Sequence, residues 1–132
     1  MILVDSNVWI DLIQKDPVWF DWSSQQIERA FFDDKLVTNA VIYAELAPVY
    51  DTPAELADFF GNGKTPIAPF SPSCAYVAGR AFLKNRRLKG AKWGVWPDFF
   101  IGAQAQTENW VILTRDKARY KTYFPKVKLI CP

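Results

Sequence analysis

The chain has 132 residues, half of them hydrophobic and 16% aromatic, with a net charge of +2, which suits one domain with a substantial core. It contains no histidine, so Ser-His-Asp and Cys-His nucleophilic catalysis are excluded, as is paired-histidine cleavage of RNA. No apolar run reaches transmembrane length, and Asp5 and Asp11 interrupt the opening segment; the expectation is a soluble, cytoplasmic protein without a signal peptide.

Ile2-Leu3-Val4 reads as a buried strand. Ser6 is expected to cap a helix over 7–14, which Asp16-Pro17 ends. A second helix is expected over 18–32 and a short strand at Leu36-Val37. Thr38 or Asn39 then caps a helix over about 40–50. Thr52-Pro53 opens another, with proline at its first position, and Gly61-Asn62-Gly63 ends it. Residues 66–70 read as extended. Ser71-Pro72 opens a long helix to about residue 88, with Gly90 just beyond. After a loop over 89–96, Pro97 opens a helix to about residue 107. Val111-Ile112-Leu113 is a second buried strand, Asp116 begins a short helix, and 127–130 is a final strand. Short apolar strands alternating with helices imply a three-layer α/β/α sandwich around a short, mostly parallel sheet, in a single domain over 1–132.

Four acids stand out within this pattern. Asp5 and Asp116 follow predicted buried strands directly, and in an open parallel sheet the carboxyl ends of the strands share one edge, where ligands bind. Glu45 lies in line with Val41 and Val49 on its helix, and Asp98 with Ile101, Gly102 and Ala105. A charge on an apolar stripe calls for a partner or a metal. An all-oxygen set without imidazole suits Mg²⁺ or Mn²⁺. Taken singly, each acid has a plainer reading: a turn at Asp5, helix N-termini at Asp98 and Asp116, a buried ion pair at Glu45. Ser6 and Asn7 beside Asp5, and Thr114 before Asp116, fit a supporting shell and equally fit simple capping. Cys74 and Cys131 are too few for a disulfide framework and have no histidine with which to complete a zinc site.

Charge is divided along the chain. Residues 1–58 hold 11 acids and 3 bases, whereas residues 59–132 hold 3 acids and 13 bases. Arg80, Lys84, Arg86, Arg87, Lys89 and Lys92 cluster with Trp93 and Trp96 in a stretch without acids. Such a segment suits a nucleic-acid backbone, with the tryptophans stacking on bases, and also suits a solvated helix end with tryptophans in the core. Any acid–base chemistry is left to carboxylates, Lys, Tyr or metal-bound water.

The runs Val4-Asp5-Ser6-Asn7-Val8-Trp9-Ile10-Asp11, Ala44-Glu45-Leu46, Pro97-Asp98-Phe99-Phe100-Ile101-Gly102-Ala103-Gln104-Ala105 and Ile112-Leu113-Thr114-Arg115-Asp116 resemble, in order and spacing, a PIN-domain nuclease of the VapC type found in bacterial toxin–antitoxin pairs. The resemblance implies a metal-dependent endoribonuclease acting as a toxin. It implies Mg²⁺ or Mn²⁺ held by Asp5, Glu45, Asp98 and Asp116, a homodimer, and an antitoxin that blocks the site. Lys84, Arg86, Arg87, Lys89 and Lys92 would then hold RNA. Trp9, Trp93 and Trp96 are bulkier than the family pattern, with substrate access the property they would alter, and residues 51–92 match only in pattern. A haloacid-dehalogenase-type phosphatase would need an Asp where Asn7 stands. A non-catalytic nucleic-acid- or regulator-binding module is the remaining alternative.

Overall fold

Two apolar triplets form the middle of the sheet. In the computed structural model, which describes residues 1–33, 35–89 and 96–132, β1 (Ile2–Val4) pairs in parallel with β4 (Val111–Leu113), Leu3 opposite Ile112 and Val4 opposite Leu113. Leu3, Val4, Ile112 and Leu113 are fully buried, as expected of strands covered on both faces. On the other side β1 pairs with β2 (Leu36–Asn39), and β2 with β3 (Ile67–Ala68); β5 (Lys128–Ile130) pairs with β4. Every pairing is parallel, and the strand order is β3-β2-β1-β4-β5.

That order places a topological switch point between β1 and β4. From β1 the chain steps outward to β2 and β3, then returns across the sheet to β4 and β5. The right-handed rule for parallel crossovers assigns α1 (Ser6–Ile13), α2 (Phe20–Phe32), α3 (Ala40–Leu46) and α4 (Pro53–Phe59) to one face. By the same rule α5 (Pro72–Lys89), α6 (Trp96–Glu108) and α7 (Lys117–Tyr123) take the other. Connections leaving the strands in opposite directions open a crevice at their carboxyl ends.

Several boundaries differ from the sequence expectation, each for a local reason. Ser6 is the first residue of α1 and not its cap; Asp5 occupies the cap position without capping through its side chain. α2 starts at Phe20 because the Asp16 carboxylate accepts from the amides of Val18 and Trp19, which holds that stretch as a turn. α3 stops at Leu46 and tightens into a single 3-10 turn over Ala47–Val49, since Pro48 has no N–H to continue the α-helical ladder. Thr52 and Glu55 form a full capping box at the start of α4.

α6 is the central helix. Phe99, Ile101, Ala103 and Ala105 are all buried, and so is Gln104. Gln104 accepts from Asn39 Nδ2 at 3.0 Å and donates to the Pro69 carbonyl at 3.0 Å, while Asn39 Oδ1 caps α3 through the Ile42 amide at 2.9 Å. One buried polar chain therefore fixes α6, the start of α3 and the edge strand relative to one another. Trp9 and Trp96 both pack against other rings. Trp9 is buried edge-on against Phe59 and Phe60, and Trp96 stacks on Phe82 with centroids 4.1 Å apart. Packing thus accounts for the bulk of Trp9, while Trp96 is half-buried against Phe82.

Gly102 lets α6 approach the end of α7. A Cβ at this position would lie 2.2 Å from Phe124 Cδ2. Gly102→Ala is expected to cost about 1–3 kcal/mol in a urea melt by overpacking, and Phe124→Ala in the same chain should remove most of the Gly102→Ala increment. Additive losses would show that the contact does not set the helix spacing.

Candidate metal centre

Asp5 sits at the switch point, directly after β1, and is only 3% exposed. Its amide donates to the Leu113 carbonyl at 2.9 Å, extending the β1–β4 pairing by one residue. Its carboxylate accepts from Thr114 Oγ1 at 2.7 Å and Asn7 Nδ2 at 3.0 Å, with Ser6 Oγ at 3.5 Å. Asn7 also donates to Thr114 Oγ1 and accepts from the Arg115 amide, and Thr114 Oγ1 accepts from the Asp116 amide at 3.0 Å. Ser6, Asn7 and Thr114 are thus the groups around Asp5. Two of them tie the segment after β1 to the segment after β4.

The other three acids enter from separate elements. Asp98 lies in the first turn of α6 with its side chain 15% exposed. Asp116 caps α7, its Oδ1 accepting from the Arg119 amide at 3.2 Å. Capping and a place at the crevice therefore coexist there. Glu45 is exposed near the end of α3. The expected apolar stripe stops short of it, since the 3-10 turn leaves Val49 43% exposed.

Burial is the main reason that the carboxyls of Asp5 and Asp98 titrate above their ordinary values; the Glu45 carboxyl is raised too, first by partial loss of water although the residue remains exposed. For Glu45 the charges of Asp5 and Asp98 add to the rise; for Asp98, those of Asp5 and Asp116 do so. The four acids share one electrostatic neighbourhood. Among the described residues, however, no three acidic or cysteine side chains stand close enough to hold one ion between them in this arrangement.

Two residues of this neighbourhood escaped the sequence reading. Arg119 donates through Nη1 to Asp98 Oδ2 at 2.5 Å, and its Nε stands 3.3 Å from Asp116 Oδ2. Tyr120 is 1% exposed, and its hydroxyl faces Asp5 without a hydrogen bond of good geometry. Burial drives its phenol far above the usual range, and the charges of Asp5, Asp98 and Glu45 push it further. The i, i+3 spacing from Asp116 was the available signal for Arg119; Tyr120 carried none. The donor set fits a hard cation: carboxylate oxygens that repel one another, with no imidazole in the chain to soften the site.

The basic candidates divide. Lys84, Arg86 and Arg87 are exposed along α5, and Lys89 ends that helix. Lys92 and Trp93 lie outside the described residues, as does Gly90. No helix among the described residues is long and apolar enough to cross a membrane.

A buried ion pair braces the loop that carries Asp116. Arg115 clamps Asp11 through Nε and Nη2, both at 2.9 Å, and Ser23 donates to Asp11 at 2.7 Å. The Arg115 guanidinium also lies 5.3 Å from the centre of the Trp19 ring. Asp11→Ala should therefore destabilise the protein by about 3 kcal/mol in urea, because it strands a largely buried guanidinium. A change within about 0.5 kcal/mol, the size of an ordinary surface substitution, would show that the brace carries no weight.

Comparison with known proteins gives a consistent frame. The family model described as the PIN domain matches residues 2–125. No curated protein matches the chain in sequence. The fold is similar to a chain in the crystal structure of VapBC2 from Rickettsia felis bound to a promoter DNA fragment, with a TM-score of 0.73, 20% identity, and coverage of 100% of this chain and 99% of that one. It is also similar to DNA-bound VapBC from Salmonella typhimurium, with a TM-score of 0.69, 16% identity, and coverage of 98% and 96%. FitAcB from Neisseria gonorrhoeae gives a TM-score of 0.66 at 18% identity, again covering 98% and 96%.

Proposed function

The chain belongs to the PIN domain family, and from that premise we propose that it is a single-domain, divalent-metal-dependent endoribonuclease, the VapC-type toxin of a toxin–antitoxin pair. What supports this reading is that Asp5 lies at the switch point beside β4, that the charges of Asp5 and Asp98 reach Glu45 and those of Asp5 and Asp116 reach Asp98, and that Arg119 pairs with both Asp98 and Asp116. Mg²⁺ or Mn²⁺ would be held by Asp5, Asp98 and Asp116, with Glu45 completing the set. When bound, the metal lowers the pKa of a water and stabilises charge on the phosphate.

The chain's own residues do the rest. Thr114 and Asn7 hold the Asp5 carboxylate in one orientation, so little reorganisation is left for the reaction itself. Asp98 in the first turn of α6 and Asp116 at the head of α7 are joined through Arg119. Lys84, Arg86, Arg87, Lys89 and Lys92 hold the RNA phosphates as a salt-sensitive, sequence-independent track. Water adds to phosphorus and the bond to the 3′ oxygen breaks, leaving a 5′-phosphate and a 3′-hydroxyl. The partners in this reading are a protein antitoxin and a second copy of the chain; the toxin–antitoxin complexes among the similar folds support the former. The protein would act in the cytoplasm.

The Arg119 pairs with Asp98 and Asp116 are what a non-catalytic PIN module that binds nucleic acid or a regulator would also show, since they neutralise the acids internally. One experiment separates the two readings. Wild type and Asp98→Asn are incubated with a pool of structured RNAs, with Mg²⁺ and with chelator. Wild type with Mg²⁺ should cleave at least about a hundredfold faster than the variant or the chelated protein. Equal cleavage by both proteins would remove the catalytic assignment.

A further inference from the structure

The crevice already contains a cation that the proposed cleavage does not use. Arg119 faces the acids from the first turn of α7, bonded to Asp98 at 2.5 Å and 3.3 Å from Asp116. Its charge also reaches Asp5 and Glu45. A single guanidinium thus pairs with two of the four carboxylates that a divalent ion would take.

Arg119 is held differently from its neighbour. Arg115 is fixed twice over, by two 2.9 Å bonds to Asp11 and by the face of Trp19. Among the described residues Arg119 has no ion pairs except those with Asp98 and Asp116, and its side chain is 47% exposed. Its long stem can carry the charge out to water at small cost. Next to it in sequence, Tyr120 is fully buried with its hydroxyl toward Asp5.

We propose that Arg119 is a built-in competitor of the divalent ion: it holds Asp98 and Asp116 in the metal-free protein and must release them before metal binds. It thereby sets the metal concentration at which the centre fills. The inference rests on the metal reading above and adds the residue that tunes it. The physical basis is mutual exclusion. The Asp98 oxygen bonded to the guanidinium is not free for a metal, and two cations crowded on the same carboxylates repel each other. Coupling of this kind is reciprocal, so whatever stabilises the arginine pairs weakens the metal by the same factor.

The test measures binding rather than cleavage. MnCl₂ is titrated by calorimetry into wild type, Arg119→Gln, Arg119→Lys and Asp98→Asn. In parallel the Arg119 Nε–H resonance is followed by NMR as MgCl₂ is added to wild type. Arg119→Gln should bind Mn²⁺ roughly three- to tenfold more tightly, the size of two lost surface ion pairs. Arg119→Lys should fall between it and wild type, and the Nε–H should exchange faster with water once Mg²⁺ is present. If Asp98→Asn abolishes binding while Arg119→Gln binds no better than wild type, the metal centre stands and the competition is refuted. If no protein takes up Mn²⁺ at millimolar concentration, the metal reading and this inference fall together.

Discussion

The joint between β1 and β4 at Asp5 is the constraint on which the rest of the crevice depends. A parallel pair in the middle of the sheet must continue past its last apolar residues, and it does so through the Asp5 amide and the Leu113 carbonyl. The carboxylate is then turned into a region that water barely reaches. Thr114 and Asn7 supply the bonds that water would have made, and in doing so lock the segment carrying Arg115 and Asp116 to the start of α1. Arg115 extends the lock to Asp11 and, through Ser23, to α2.

Crowding of charge follows from that geometry. α6 can pass close to α7 only because residue 102 is glycine, and its first turn then delivers Asp98 toward Asp5 and Asp116. Carboxyls whose folded-state pKa values are raised bind protons more readily in the folded chain. Their contribution favours folding below the ordinary carboxylate range and is lost as pH rises through the raised values. At neutral pH these acids therefore oppose folding until a positive charge offsets them. Arg119 is the offset that the chain itself carries. A divalent ion of higher charge density would be the stronger one.

Much of this was legible before any coordinates. The triplets Ile2-Leu3-Val4 and Val111-Ile112-Leu113 read directly as buried strands, so Asp5 and Asp116 could be placed at strand ends from local pattern alone. The pairing of those two strands was not readable, because strand order depends on the long return from β3 across the sheet. Glu45 was misplaced onto a buried stripe, since the reading ran its helix straight through Pro48. Arg119 was missed for a different reason. Its meeting with Asp98 needs the α6–α7 spacing that Gly102 and Phe124 set, a contact between residues far apart in the pattern. Trp9 went to the core, where large rings gain most from burial, and Trp96 to a half-buried stack on Phe82.

The central claim is that the four acids form a centre that a divalent ion completes. Thermal melting of wild type and Asp98→Asn with and without millimolar Mn²⁺ tests it most directly. The account predicts that Mn²⁺ raises the melting temperature of wild type, with about 2.7 kcal/mol of stabilisation at a hundredfold excess over Kd, and leaves Asp98→Asn nearly unmoved. No shift in wild type, or an equal shift in both proteins, would contradict it.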